Sequence, residues 1–189
     1  MEVYVVGEYI DKKDYTAGSL QKGEYEDCTF FNCDFSSSDL SQIKFLGCAF
    51  VDCNLSSALI TKASFQQASF NNCKMLGLQF DTCSQFGLSF SFEACQLNHS
   101  SFYQLQVRKM LFAQCKLVEV DFTEADLEGS IFADCDLSGA RFENTNLSHT
   151  DFHTSYHYSI DPEINKIKKA RFSADGILGL LDKYDIVVE

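Results

Sequence analysis

The chain runs to 189 residues and carries 27 acidic against 15 basic side chains, a formal charge of −12, with a single proline. That is a single-domain length, and no Pro/Gly/Ser-rich linker divides it. No stretch approaches the ~20 consecutive apolar residues that cross a membrane, and Met1–Glu8 has neither the positive start nor the apolar run of a signal peptide, so a cytoplasmic protein with no membrane association is expected.

Residues 1–20 match no nameable motif and are expected to form an N-terminal cap segment. From Tyr25 a large apolar residue returns at every fifth position, through Phe30, Phe35 and Leu40 as far as Phe80. A second run goes from Leu97 through Phe102 to Phe152. A period of five fits neither the 3.6 of a helix nor the 2 of an ordinary strand. A fixed short period marks a solenoid, in which each unit buries its face against its neighbours. All nine cysteines stand two positions before a repeat centre, and Cys33, Cys53 and Cys73 are twenty apart, as are Cys95, Cys115 and Cys135. Twenty residues is four units of five. The chain therefore turns four corners and returns above itself, giving an all-β solenoid over 21–152. At ~4.8 Å per coil, that is a square rod of roughly six to seven coils, about 30 Å long.

This geometry also decides what the cysteines do. Zinc-ligand pairs sit two to four residues apart, whereas a spacing of five puts Cys28 and Cys33 on different sides. In the narrow inner slot a cysteine serves as a small apolar residue, and a reducing cytoplasm disfavours disulfides. His149, His153 and His157 would align only on a helix, where the last repeats leave no room for one. No metal and no cofactor is expected.

Between the two runs the register slips, because Phe80 to Phe92 spans twelve residues where two units need ten. A two-residue insertion within 85–92 restores every column. Gly87 tolerates unusual backbone angles, so a bulge is expected at Gln85–Gly87, with Phe86 or Phe90 pushed outward as a possible partner contact.

After the slip the charge becomes uneven. Residues 111–152 hold nine acids (Glu119, Asp121, Glu124, Asp126, Glu128, Asp134, Asp136, Glu143 and Asp151) against Lys116 and Arg141. That is about three net charges per coil, close to the one charge per ~1.7 Å of duplex DNA. A stiff anionic rod is repelled by nucleic acid, so no direct nucleic-acid binding is expected, and it is attracted to a basic DNA-binding groove. The first eight of these acids are the candidate partner-binding face. Some charges are expected to pair across coils twenty residues apart: Glu24 with Lys44, Lys116 with Asp136, and Asp121 with Arg141.

The last segment, 153–189, abandons the period of five. Asp161-Pro162-Glu163 has the form of a helix N-cap, first position and first turn. A short helix bearing Lys166, Lys168, Lys169 and Arg171 is expected to follow. Ile177, Leu178, Leu180 and Leu181 are spaced for one helix face, and Tyr184–Val188 reads as a strand. Together with Tyr184, Ile186 and Val188 this apolar set caps the last coil or buries itself against a second copy in a two-fold homodimer.

Ala125-Asp126-Leu127-Glu128-Gly129, Cys135-Asp136-Leu137-Ser138-Gly139 and Ala140-Arg141-Phe142-Glu143-Asn144 resemble the A(D/N)LXX consensus of the pentapeptide-repeat proteins. The resemblance implies a right-handed quadrilateral β-helix. The ending Gly179-Leu180-Leu181-x-Lys183-Tyr184-x-Ile186-Val187-Val188 is similar to the Qnr quinolone-resistance branch, and Asp161–Ile167 to the microcin B17 immunity protein. That branch implies a non-catalytic DNA mimic, dimeric through its C-terminal segment. Its implied partners are DNA gyrase and topoisomerase IV, protected from quinolone drugs or peptide toxins. The long loops that project from many Qnr proteins are missing here. The alternative is a general pentapeptide-repeat scaffold for another basic protein. An enzyme is not expected, because no nucleophile–base set, phosphate loop or paired-acid pocket is present.

Overall fold

A computed structural model describes residues 2–187, and its corners explain why five is the period. At many repeat centres the carbonyl accepts a hydrogen bond from the N–H three residues on, as from Ala58 to Leu55 (3.1 Å) and from Ala125 to Phe122 (3.1 Å), whereas at Phe30, Phe50, Phe112 and Phe132 it accepts a side chain of the next coil. The residue two past the centre sits at positive φ, for example 57° at Ser57 and 58° at Glu124. These are the marks of a type II turn. The left-handed conformation costs an ordinary residue about 1–2 kcal/mol, and Gly47 and Gly139 occupy it without that cost. The aspartate or asparagine before the centre has its own task. Its side-chain oxygen accepts from the N–H two residues on, as Asp34 does from Ser36 (2.8 Å) and Asp121 from Thr123 (2.9 Å). The acidic letter of the repeat is thus a turn-building residue.

Successive coils pair in parallel with a register of twenty, such as Phe30 with Phe50 and Phe112 with Phe132. One sheet stacks Val3–Val6, Gly23–Glu26, Lys44–Leu46 and Ser64–Gln66. The next side stacks seven strands, from Tyr9–Asp11 to Ile131–Ala133. The other two sides are held by single bridges, including Asp34 to Asn54 and Ser101 to Asp121. Sides one to four are named below by their centres Tyr25, Phe30, Phe35 and Leu40, each followed by its equivalents in later coils.

The core is a set of stacked columns. Phe30, Phe50, Phe70, Phe92, Phe112, Phe132 and Phe152 lie with successive ring centroids 4.8–5.3 Å apart, nearly parallel. Rings on adjacent sides meet edge to face, as Phe102 does with Phe112 at 81°. Burying each such side chain contributes roughly 1.5–3 kcal/mol. All nine cysteines are free and buried. Most of their thiols donate to carbonyls of the preceding coil, for example Cys53 to Phe30 and Cys73 to Phe50, both at 3.3 Å. Near the C-terminal end Thr145 and Ser155 fill the same slot and make the same bond, to Phe122 (2.9 Å) and Phe132 (2.7 Å).

The coil extends beyond 21–152 at both ends. Val3–Val6 pairs with Gly23–Glu26 and Tyr9–Asp11 with Thr29–Phe31. Residues 3–20 therefore form a first coil whose inward residues Val5, Ile10, Tyr15 and Leu20 precede Tyr25, Phe30, Phe35 and Leu40 by twenty. Valine, isoleucine and tyrosine without a small partner two positions earlier obscured this in the sequence. At the other end Lys166 bridges Asn146, Arg171 bridges Asp151, and Phe172 stacks on Phe152 at 5.5 Å. The expected helix after Asp161 does not form. Asp161 builds another corner by accepting from the N–H of Glu163 (2.8 Å), and Asn165 takes the inner slot, donating to Phe142 (2.7 Å). The tail then makes two short tight-wound turns, Gly176–Leu180 and Asp182–Tyr184, in place of a longer amphipathic helix. No strand covers 184–187, and Val188 lies outside the described residues.

The slip falls where the sequence places it. Phe70 pairs with Phe92, a step of twenty-two, and Gly87 has φ +67°. Of the two rings expected to be candidates for an outward contact, Phe86 is 82% exposed, whereas Phe90 is buried and is ruled out as that contact. Side one lacks a centre in this coil because Gln85 points to solvent. The Phe90 ring fills the gap, 5.7 Å from Phe65 and 5.2 Å from Phe80. An empty slot there would forfeit contacts on every side.

Candidate partner-binding surface

The outward residues just before each centre stack in four columns, one per side. Gln106, Asp126, Asn146 and Lys166 run down side one; Leu111, Ile131, Asp151 and Arg171 down side two. Lys116, Asp136 and Tyr156 run down side three, and Ser101, Asp121 and Arg141 down side four. The eight candidate acids consequently encircle the rod. Asp126 and Glu128 stand on side one, Asp136 on side three, and Asp121 and Glu143 on side four, while Glu119, Glu124 and Asp134 occupy corners. A count along the chain finds an acidic segment; only the coil shows that four directions share it.

Local pairing then removes much of the charge on three of those directions. Arg108 clasps Asp126 at 2.7 Å and Glu128 at 3.5 Å. His157 lies 3.1 Å from Asp136. The Asp136 carboxyl is pulled up by burial, but bonds from Ser138 and His157 outweigh this and hold it below its ordinary value. Arg171 meets Asp151 at 2.8 Å. Of the expected cross-coil pairs, Glu24 with Lys44 forms at 3.2 Å. Lys116 with Asp136 and Asp121 with Arg141 are backbone neighbours, and no ion pair joins their side chains among the described residues. Of the candidate acids, those left without an ion pair among the described residues are Asp121 and Glu143 on side four, Glu124 at its corner with side one, and Asp134 at the corner of sides two and three. Asp121 and Glu143 have no cation within bonding distance among the described residues, Glu124 accepts there only from Gln104 (2.8 Å), and Glu119 pairs with His99 at 3.2 Å as Asp136 does with His157.

Two apolar features interrupt the charged surface. Phe86 projects from the bulge on side one. Beside it Gly87 packs so closely on the Gln66 side chain that a Cβ would press against it, while Ser89 receives the N–H of Gln67 (2.7 Å). The tail is the second. The Ile160 N–H bonds to the Gly179 carbonyl (2.9 Å), and Gly176 and Gly179 leave no space for a Cβ against Tyr158. Lys183 bridges Asp161 (2.7 Å) and Glu163 (2.8 Å), and the Tyr184 hydroxyl donates to Glu163 (3.0 Å). These bonds from Lys183 hold both carboxyls below their ordinary values. Leu180 packs on the core, whereas Ile177, Leu178 and Ile186 are exposed. Leu178, Leu181 and Ile186 line an open groove of about 290 Å³ with Asp182 and Asp185.

Comparison with known proteins agrees with this architecture. No curated protein sequence matches the chain. Among solved structures, a trypsin-treated variant of QnrB1, described as a plasmid-mediated fluoroquinolone resistance protein, aligns over 100% of both chains with TM-score 0.63 and 21% identity. A second trypsin-treated QnrB1 variant aligns over 100% of this chain and 99% of its own, with TM-score 0.50 and 25% identity. HetL, from the cyanobacterium Nostoc, gives TM-score 0.48 and 16% identity over 93% of this chain and 89% of its own. The model of the pentapeptide repeat region matches residues 24–102 and 79–152, most of the coil just described, and the chain belongs to the pentapeptide-repeat family.

Proposed function

We propose that the protein is a non-catalytic interaction rod that engages a DNA-binding enzyme, a type II topoisomerase such as DNA gyrase or topoisomerase IV. On this reading it shields that enzyme from quinolone drugs or peptide toxins. The observation that carries the reading is the free acid of side four and its corner with side one, Asp121, Glu124 and Glu143, on a rod whose coils repeat at ~4.8 Å. Carboxylates not engaged in ion pairs attract a basic groove and steer encounter with it, although Arg141 in the same column offsets one of these charges. The full-length likeness to QnrB1, described as a fluoroquinolone resistance protein, supports a topoisomerase as the owner of that groove. Phe86, exposed beside Gly87, supplies an aromatic anchor of the kind that dominates interfaces.

The test is a gyrase supercoiling assay with a quinolone. Native protein is expected to restore supercoiling, and Asp121→Lys/Glu124→Lys/Glu143→Lys to need at least about tenfold more protein for the same effect. Reversal of Asp126, which Arg108 pairs at 2.7 Å, is expected to matter less. Equal activity of the side-four variant and the native chain would remove the acidic surface from the mechanism.

A further inference from the structure

The rod also carries a basic edge. At the corner between sides one and two, Lys109, Gly129, His149 and Lys169 stack in successive coils, joined by backbone bonds of one kind (Lys109 to Glu128, Gly129 to Ser148, His149 to Lys168). Lys166 and Lys168 stand beside Lys169 in the last coil. The four lysines are exposed, and their ammonium groups have no hydrogen bond or ion pair among the described residues. The neighbouring carboxylates are held in ion pairs, Asp126 and Glu128 sharing Arg108, Asp151 with Arg171, and Asp161 and Glu163 sharing Lys183. Of the candidate acids, those without a cation among the described residues stand elsewhere, Asp121 and Glu143 on side four, Glu124 at the corner of sides four and one, and Asp134 at the corner of sides two and three. Charges further off than ~8–10 Å are screened at physiological salt. With Lys109, Lys166, Lys168 and Lys169 added to Arg108, Arg171 and Lys183, seven cations stand at and beside the edge against the five paired carboxylates, a local excess of positive charge although the whole chain carries −12.

We infer that this lysine edge is a docking strip for the phosphate backbone of duplex nucleic acid, separate from the acid-rich side four. Lysine ammonium groups are point charges suited to phosphates. Lys109 lies three coils, about 14 Å, above Lys169 at ~4.8 Å per coil, so the strip spans several phosphates of one strand. Gly129, Asn146 and Ser148 lie between its lysines, and exposed Leu111 and Ile131 flank it on side two, so charge is what selects an anionic partner here. The inference goes beyond the topoisomerase reading and stands without it. If both hold, one rod touches an enzyme's basic groove and nearby DNA with different surfaces.

Fluorescence anisotropy of a labelled duplex of about 20 base pairs, titrated with full-length protein from about 25 mM salt upward, tests the inference. Four phosphate contacts predict a log–log salt slope of about −3 to −4. Lys166→Glu/Lys168→Glu/Lys169→Glu should weaken binding at least tenfold and flatten the slope, with circular dichroism unchanged because all three side chains are exposed. Asp121→Asn/Glu143→Asn should leave it as tight or tighter. No salt-dependent binding by the native chain overturns the inference, as does equal binding by the triple variant. A polyglutamate peptide that competes as well as duplex of equal charge would assign the edge to an acidic protein instead. The supercoiling assay responds to side four, so failure of either reading is seen independently.

Discussion

A repeat centre and the residue two before it are one packing unit, and each constrains the other. Phe112 is fully buried between Phe92 and Phe132, with centroids 5.2 and 4.8 Å away, and meets Phe102 and Phe122 edge-on. Phe112→Ala is expected to cost about 3–5 kcal/mol, since stacked neighbours above and below cannot collapse into the space; urea unfolding measures it. The thiols are equally enclosed. Burial pushes Cys48 up to about 12, so it stays protonated and unreactive at neutral pH. These roles were legible from position alone. The acidic residues were not, because Asp121 and Asp126 each spend an oxygen on their own turn. That geometry exists only once the corner is folded.

Among elements, the bulge and the tail are where local sequence and coil compete. The two-residue slip announced itself by arithmetic, yet which phenylalanine turned inward depended on the cavity left by Gln85, and Phe90 filled it. Asp161-Pro162-Glu163 has every local mark of a helix start, but Thr145 offers its N–H to Asn165 (2.8 Å) and its carbonyl to Lys166 (3.0 Å), and the coil wins. The tail's clasp depends on pH. Asp161 and Glu163 are depressed by Lys183, so their contribution is present above the usual carboxylate value of about 4 and is lost as pH falls through their folded values. Hydrogen exchange at the Ile160 N–H, corrected for intrinsic rate, should therefore quicken below about pH 4. Unchanged protection would assign the docking to the packing of Leu180.

At the scale of the whole molecule, the rod has differentiated sides. Side two is a seven-stranded sheet with exposed Leu111 and Ile131, side four holds free acid, and the edge between sides one and two is basic. The C-terminal end presents Ile177, Leu178 and Ile186 to solvent, and we propose that a second copy covers them about a two-fold axis. Leu178→Asp should then halve the mass seen by light scattering; a native chain already monomeric at micromolar concentration would leave the tail only its capping role.

The sequence by itself determined the period, the square cross-section, the buried phenylalanines and cysteines and the place of the slip. Each follows from which residues recur at five and twenty, and burial enforces recurrence. The tertiary structure decided that the coil reaches from Val3 to Phe172, that Phe90 turns in while Phe86 turns out, and that the acids part into paired and free sets. Those outcomes depend on neighbours twenty residues away in the adjacent coil, where partners such as Arg108 for Asp126 are brought within reach only by winding.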